Sequence, residues 1–152
     1  AIFGAGSRSF SDTRWWPILL MRWRYLVCSL YCWPLLDSNV ARAFSETLAS
    51  NGITSLIDPL AGSGWQARQW KRARPTLEVS ASDIYPHRPV PWMPVAVMDA
   101  MERISSMESQ LSGAKLKACA LVLSWPPHDP DPIGKELLSS WAGEWLGYVG
   151  EL

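Results

Sequence analysis

From residue 53 onward the chain alternates short apolar runs with stretches of helical periodicity, and the connections between them are brief. Residues 53–57, 77–81, 95–98, 118–123 and 145–149 have strand length, and the first of these runs is bounded by turn residues. Residues 65–74, 100–111 and about 133–141 separate them and carry apolar side chains at helical spacing, as at Met101, Ile104 and Met107. Strands divided by helices must be joined by right-handed crossovers, and such strands lie parallel. The expected fold class is therefore α/β, a doubly wound, mostly parallel sheet of about five strands. Pro86, Pro89, Pro91 and Pro94 mark a rigid loop before the third strand, and no internal repeat is visible.

The region before residue 53 is different. Residues 1–12 are rich in Gly and Ser. A helix is expected from about Trp15 to Tyr31, with Pro17 tolerated in its first turn. Trp16, Leu20, Trp23, Val27 and Leu30 recur at helical spacing, so this helix is expected to pack its apolar stripe on the domain. Trp33-Pro34 breaks it, and Asp37 or Ser38 caps a second helix with Val40, Phe44 and Leu48 on one side, ended by Asn51-Gly52. The domain reading is an N-terminal helical segment, 1–36, packed on an α/β domain, 37–152.

Fourteen Lys and Arg balance fourteen Asp and Glu, so no whole-molecule attraction to nucleic acid or anionic lipid is indicated. The uncharged run 25–36 falls well short of the ~20 residues that span a bilayer, and it contains Ser29 and Pro34. An export signal is the competing reading, because Arg22 and Arg24 precede the run and Ala41-Arg42-Ala43 follows it. The bulky Tyr31 and Trp33 and two cysteines stand against that reading. No membrane partner is expected. Cys28, Cys32 and Cys119 are odd in number and form no CxxC pair, which fits a reducing, cytoplasmic compartment. Ten tryptophans need burial, a pocket or an interface; most are expected in the core or at an interface, and Trp65 and Trp125, beside the ligand loops, are the two placed for stacking.

The strongest local signal is Asp58-Pro59-Leu60-Ala61-Gly62-Ser63-Gly64-Trp65, between an expected strand and an expected helix. Glycines let backbone approach a ligand closely, and the helix start offers free N–H groups to an anion. Asp83 ends the next strand about twenty positions beyond Gly64, where a carboxylate can accept from two vicinal ribose hydroxyls. A nucleoside ligand follows. Gly62-x-Gly64-x-x-Ala67 also satisfies the relaxed dinucleotide fingerprint, so NAD is an open alternative. In dinucleotide sites, however, the first glycine follows the strand almost directly, whereas here Asp58 and three further residues precede it.

The run Asp-Pro-x-Ala-Gly-Ser-Gly closely resembles motif I of the S-adenosylmethionine-dependent methyltransferases with a Rossmann-like, seven-strand fold. The resemblance implies that Ala61, Gly62, Ser63 and Gly64 meet the methionyl part of the cofactor and that Asp58 helps hold its ammonium. It implies that Asp83 binds the ribose. Asp99, in Val97-Met98-Asp99-Ala100, matches the residue that meets the adenine amino group; its other reading is a helix N-cap, and the two are compatible.

Ser124-Trp125-Pro126-Pro127-His128 follows the fourth strand, where amino-methyltransferases carry a polar residue, two prolines and an aromatic ring. The departure here is that Trp125 sits directly before the prolines, Ser124 is one place early and His128 replaces the ring. That pattern, with Tyr148-Val149-Gly150-Glu151 later and Tyr31 and Trp33-Pro34 earlier, looks more like a group of little-characterised methyltransferase-like proteins. Ser124, Trp125 and His128 are the candidate catalytic residues, and the imidazole is a candidate general base. His87, among prolines, is a weaker candidate for any role. Arg68, Lys71 and Arg72 share a helix face that reads as a solvated surface or, alternatively, a contact to a phosphate backbone.

The expected function is methyl transfer from S-adenosylmethionine to an acceptor that is a small molecule, a protein or a nucleic acid. The alternatives are a non-catalytic nucleoside-binding or regulatory domain and an NAD-binding domain. No metal is expected. Because the chain opens on Ala1 and only five of the seven strands can be counted before Leu152, it is expected to be a fragment or truncation that self-associates through an exposed edge strand.

Overall fold

A computed structural model of the chain describes residues 15–31, 37–86, 91–111, 113–127 and 132–150. Along the chain run α1 (Trp16–Leu30), α2 (Ser38–Ser50), β1 (Ser55–Asp58), α3 (Trp65–Ala73), β2 (Glu78–Asp83) and β3 (Ala96–Val97). They are followed by α4 (Ala100–Gln110), α5 (Ala114–Lys117), β4 (Cys119–Ser124), α6 (Ile133–Ser140) and β5 (Trp145–Val149). The strands form one parallel five-stranded sheet in the order β3-β2-β1-β4-β5. The chain is an α/β doubly wound domain, and the order reverses direction between β1 and β4.

Period-two alternation divides the core between the two faces of the sheet. Leu56, Ala120 and Val122 pack with α2 and α3 around Ala41, Leu48, Ala67 and Trp70. Ile57, Cys119, Leu121 and Leu123 turn the other way, onto Ala100 and Ile104 of α4 and Leu137 of α6. Each fully buried Leu or Ile contributes about 1.5–3 kcal/mol. Trp70 is fully buried, its ring 5.6 Å from that of Phe44. A Cβ at Gly147 in β5 would stand 2.7 Å from the Phe44 ring, so a larger residue there would have to push that ring aside. Cys28 and Cys119 are free, buried thiols; burial pushes the Cys119 pKa up, and a hydrogen bond with Ser55 offsets part of the rise.

Several expectations shift. β1 begins at Ser55, because the Ile53 amide is spent on Leu48 O (2.9 Å) to close α2, and Thr54 N and Ser55 N both reach Ala118 O. The third strand keeps only Ala96 and Val97, both exposed at the sheet edge. The single-turn α5 after Gly113 was not foreseen, since four residues show no periodicity. The largest correction is α1. Its boundaries match, but Trp16, Leu20, Trp23 and Leu30 are exposed instead of packed, and among its described side chains only Val27 and Cys28 near its end are covered. Of the described tryptophans Trp70 alone is fully buried, Trp141 and Trp145 pack half-buried on the core, and Trp15, Trp16 and Trp23 are exposed. No helix among the described residues is long and apolar enough to cross a membrane.

Candidate functional site

A doubly wound sheet opens a crevice at the carboxyl ends of its strands where the order reverses. Here that place lies beyond Asp58 of β1 and Ser124 of β4. The turn between β1 and α3 is built on two positive φ values, 52° at Gly62 and 73° at Gly64. A Cβ at Gly64 would also meet Val95 Cγ2 at 2.8 Å, so both the backbone angle and the covering segment require glycine. Ala61 N donates to Ser82 O (3.0 Å) and Gly64 N to Ala61 O (2.8 Å), which ties the turn to β2 and closes it on itself.

Three carboxylates lie at this edge. Asp58 is fully buried, and neither carboxylate oxygen has a hydrogen-bond partner. Burial lifts its pKa from 3.8 to about 7; the nearby Leu60 amide, short of hydrogen-bond geometry, draws it partly back, and the charge of Asp83 adds to the rise. Asp83 accepts from Gly62 N on Oδ2 and from Tyr85 N on Oδ1, both at 2.8 Å. It therefore tethers the glycine turn, and each oxygen keeps a second acceptor direction. Asp99 is the N-cap of α4, its Oδ1 accepting from Met101 N (2.9 Å) and Glu102 N (3.2 Å).

On β4, the Ser124 hydroxyl is buried and has no partner. Trp125 follows at φ 53°, the sole positive φ outside glycine among the described residues, and its amide donates to Val149 O (2.6 Å). For so bulky a side chain this backbone is strained, and strain of this kind concentrates at functional sites. The Arg24 guanidinium lies over the Trp125 ring, 5.5 Å from its centroid. His128 lies outside the described residues, as do His87, Cys32, Trp33 and Pro34. Among the described residues no group of three or more acidic, His or Cys side chains could hold a metal.

An aromatic cluster on the glycine turn was not anticipated. Tyr31 and Trp92 stack at 5.2 Å, and Trp65 meets both edge-on at 4.8 and 4.7 Å. Ser63 joins them: its hydroxyl donates to Tyr31 O, and its own carbonyl accepts from Trp92 N (2.8 Å). Ser63 thus anchors two chain segments to the turn. Trp92 stands between Pro91 and Met93-Pro94, and that proline setting was the one signal for it. Of the basic residues on α3, Arg68 lies over the Trp92 ring (5.3 Å) and Lys71 donates to Leu77 O (2.7 Å). Arg68 and Lys71 thus make contacts within the domain, while Lys71 and Arg72 remain exposed, as a solvated helix face would be. Compared with protein-family models, with characterised proteins and with solved structures, the chain finds no match in any of the three.

Proposed function

We propose that the chain binds S-adenosylmethionine at the carboxyl edge of its sheet and transfers the methyl group to an acceptor bound beside β4. The observation that carries this reading is Asp58. A carboxylate held fully buried and unpaired is costly, and a cationic group of a ligand removes the cost. The ammonium of a methionyl moiety is such a group, and the Gly62–Gly64 turn follows Asp58 after three residues, Pro59-Leu60-Ala61. Gly62, Ser63 and Gly64 would border the methionyl chain. Asp83 would use its remaining acceptor directions for the ribose, and the Asp99 carboxylate lies at the same edge for the adenine amino group. The bound cofactor supplies an electrophilic methyl group. The chain's own part is to hold and orient it and to present the Ser124 hydroxyl to the acceptor.

Thermal unfolding with S-adenosylhomocysteine tests the reading against NAD. The homocysteine nucleoside should raise Tm and NAD should not. Asp83→Ala should abolish the shift, since two ribose hydroxyls lose a charged acceptor worth on the order of 2–4 kcal/mol. An equal shift in the variant and the wild type contradicts the assignment of Asp83. A shift without methyl transfer to any pool of small molecules, proteins or nucleic acids favours a non-catalytic binding domain.

A further inference from the structure

Helix α1 is the least covered part of the molecule, and its chemistry is one-sided in charge. Trp16, Leu19, Trp23, Leu26 and Leu30 recur at alternating spacings of three and four, which places them on one face. Trp16 is 61% and Trp23 63% exposed, and a groove of about 420 Å³ runs along this face. Away from it, Ile18, Met21 and Tyr25 are exposed as well. The helix carries two charges, Arg22 and Arg24, and no carboxylate. Arg22 has no ion-pair or hydrogen-bond partner among the described residues. Toward its end α1 is fastened to the domain by the buried Cys28, by Arg24 over the Trp125 ring, and by Leu30 O, which accepts from Trp92 Nε1 (2.9 Å).

We propose that α1 lies in the headgroup layer of an anionic lipid bilayer, with the Trp16–Leu30 face toward the acyl chains and the guanidinium of Arg22 at the phosphates. Fifteen residues give a helix about 22 Å long, shorter than the ~30 Å hydrocarbon core, so the geometry is lying and not crossing. A bilayer interface accepts apolar side chains over a wide arc and favours Trp, Tyr and Arg at its polar margin. Charge complementarity selects anionic lipid, because Arg22 is the exposed charge of the helix left without a partner among the described residues and α1 carries no carboxylate, while Arg24 is held over Trp125. The proposal is independent of what the glycine turn binds.

Co-sedimentation of the full chain with vesicles of phosphatidylcholine alone, or with about one-third phosphatidylglycerol, tests it, and the expected preference for the anionic vesicles is on the order of tenfold. The double variant Trp16→Glu, Trp23→Glu changes only exposed positions, so it should keep the wild-type circular dichroism and lose the pellet. Arg22→Gln should weaken binding several-fold on anionic vesicles and leave neutral ones unaffected. A wild type that stays in the supernatant with both vesicle types overturns the proposal. So does a double variant that pellets like the wild type, or a dimer that depends on Trp16 and Trp23 while ignoring lipid.

Discussion

At the amino ends of the strands, polar groups have protein partners. Arg74 Nη1 donates to Ile53 O and Lys71 Nζ to Leu77 O, both at 2.7 Å, Glu78 N donates to Thr54 O at 3.0 Å, and Lys117 pairs with Glu144 at 2.9 Å. At the carboxyl ends of the same strands, both oxygens of Asp58 and the hydroxyls of Ser82 and Ser124 are buried without partners, and Trp125 holds a strained backbone. The first edge is thus built on pairs and the second gathers unpaired groups, while in the α2–α3 layer Ser45 Oγ and Trp70 Nε1 are also buried without partners. Buried polar groups are nearly always paired, so the second edge carries a cost that the first does not. Such a cost, gathered at a strand switch point, supports the proposal that a ligand relieves it there.

The sharpest way to break this contrast is at Asp58. Its folded pKa of about 7 lies above its ordinary value of 3.8. The stability tied to its protonated form is therefore complete below the ordinary value and is lost as pH rises through about 7. Asp58→Asn, which stays neutral, should be more stable than the wild type by about 2–4 kcal/mol at about pH 8 and gain nothing near pH 4. Urea unfolding across that range reads the effect. Gly64→Ala comes next. With φ at 73° and a Cβ 2.8 Å from Val95 Cγ2, it should cost about 1–3 kcal/mol and weaken nucleoside binding.

On the paired edge, Arg74→Ala should cost about 1–3 kcal/mol by stranding the Ile53 carbonyl, with nucleoside affinity unchanged. A loss of affinity there would erase the distinction between the edges. The smallest effect belongs to the exposed Lys117–Glu144 pair: Glu144→Ala should leave Tm unmoved in a thermal scan.

Much of the sheet is legible in the sequence because strand and helix periods differ and Gly, Pro and Asn mark the joints. The apolar run at 118–123 is the fully buried β4 almost residue for residue, and Asp99 is the N-cap its position before a helix implies. Packing is less legible. Periodicity identifies a stripe on α1 but not what the stripe meets, and the stripe proved exposed. The Tyr31–Trp65–Trp92 cluster was hidden because its rings come from three separate segments. Asp58 was recognisable as a strand-end acid, while its lack of any hydrogen-bond partner is a property of the folded surroundings alone.

The central claim is that the unpaired Asp58 carboxylate awaits a cationic ligand group. Isothermal titration of S-adenosylhomocysteine into the wild type and Asp58→Asn, at about pH 8 and about pH 6, tests it most directly. A ligand ammonium favours the ionised carboxylate, so wild-type affinity should fall by up to about tenfold per pH unit below about 7. Asp58→Asn should be the more stable protein and the weaker binder, with affinity that no longer follows pH over this range. Equal affinity in the two proteins, with the same pH dependence, would contradict the account.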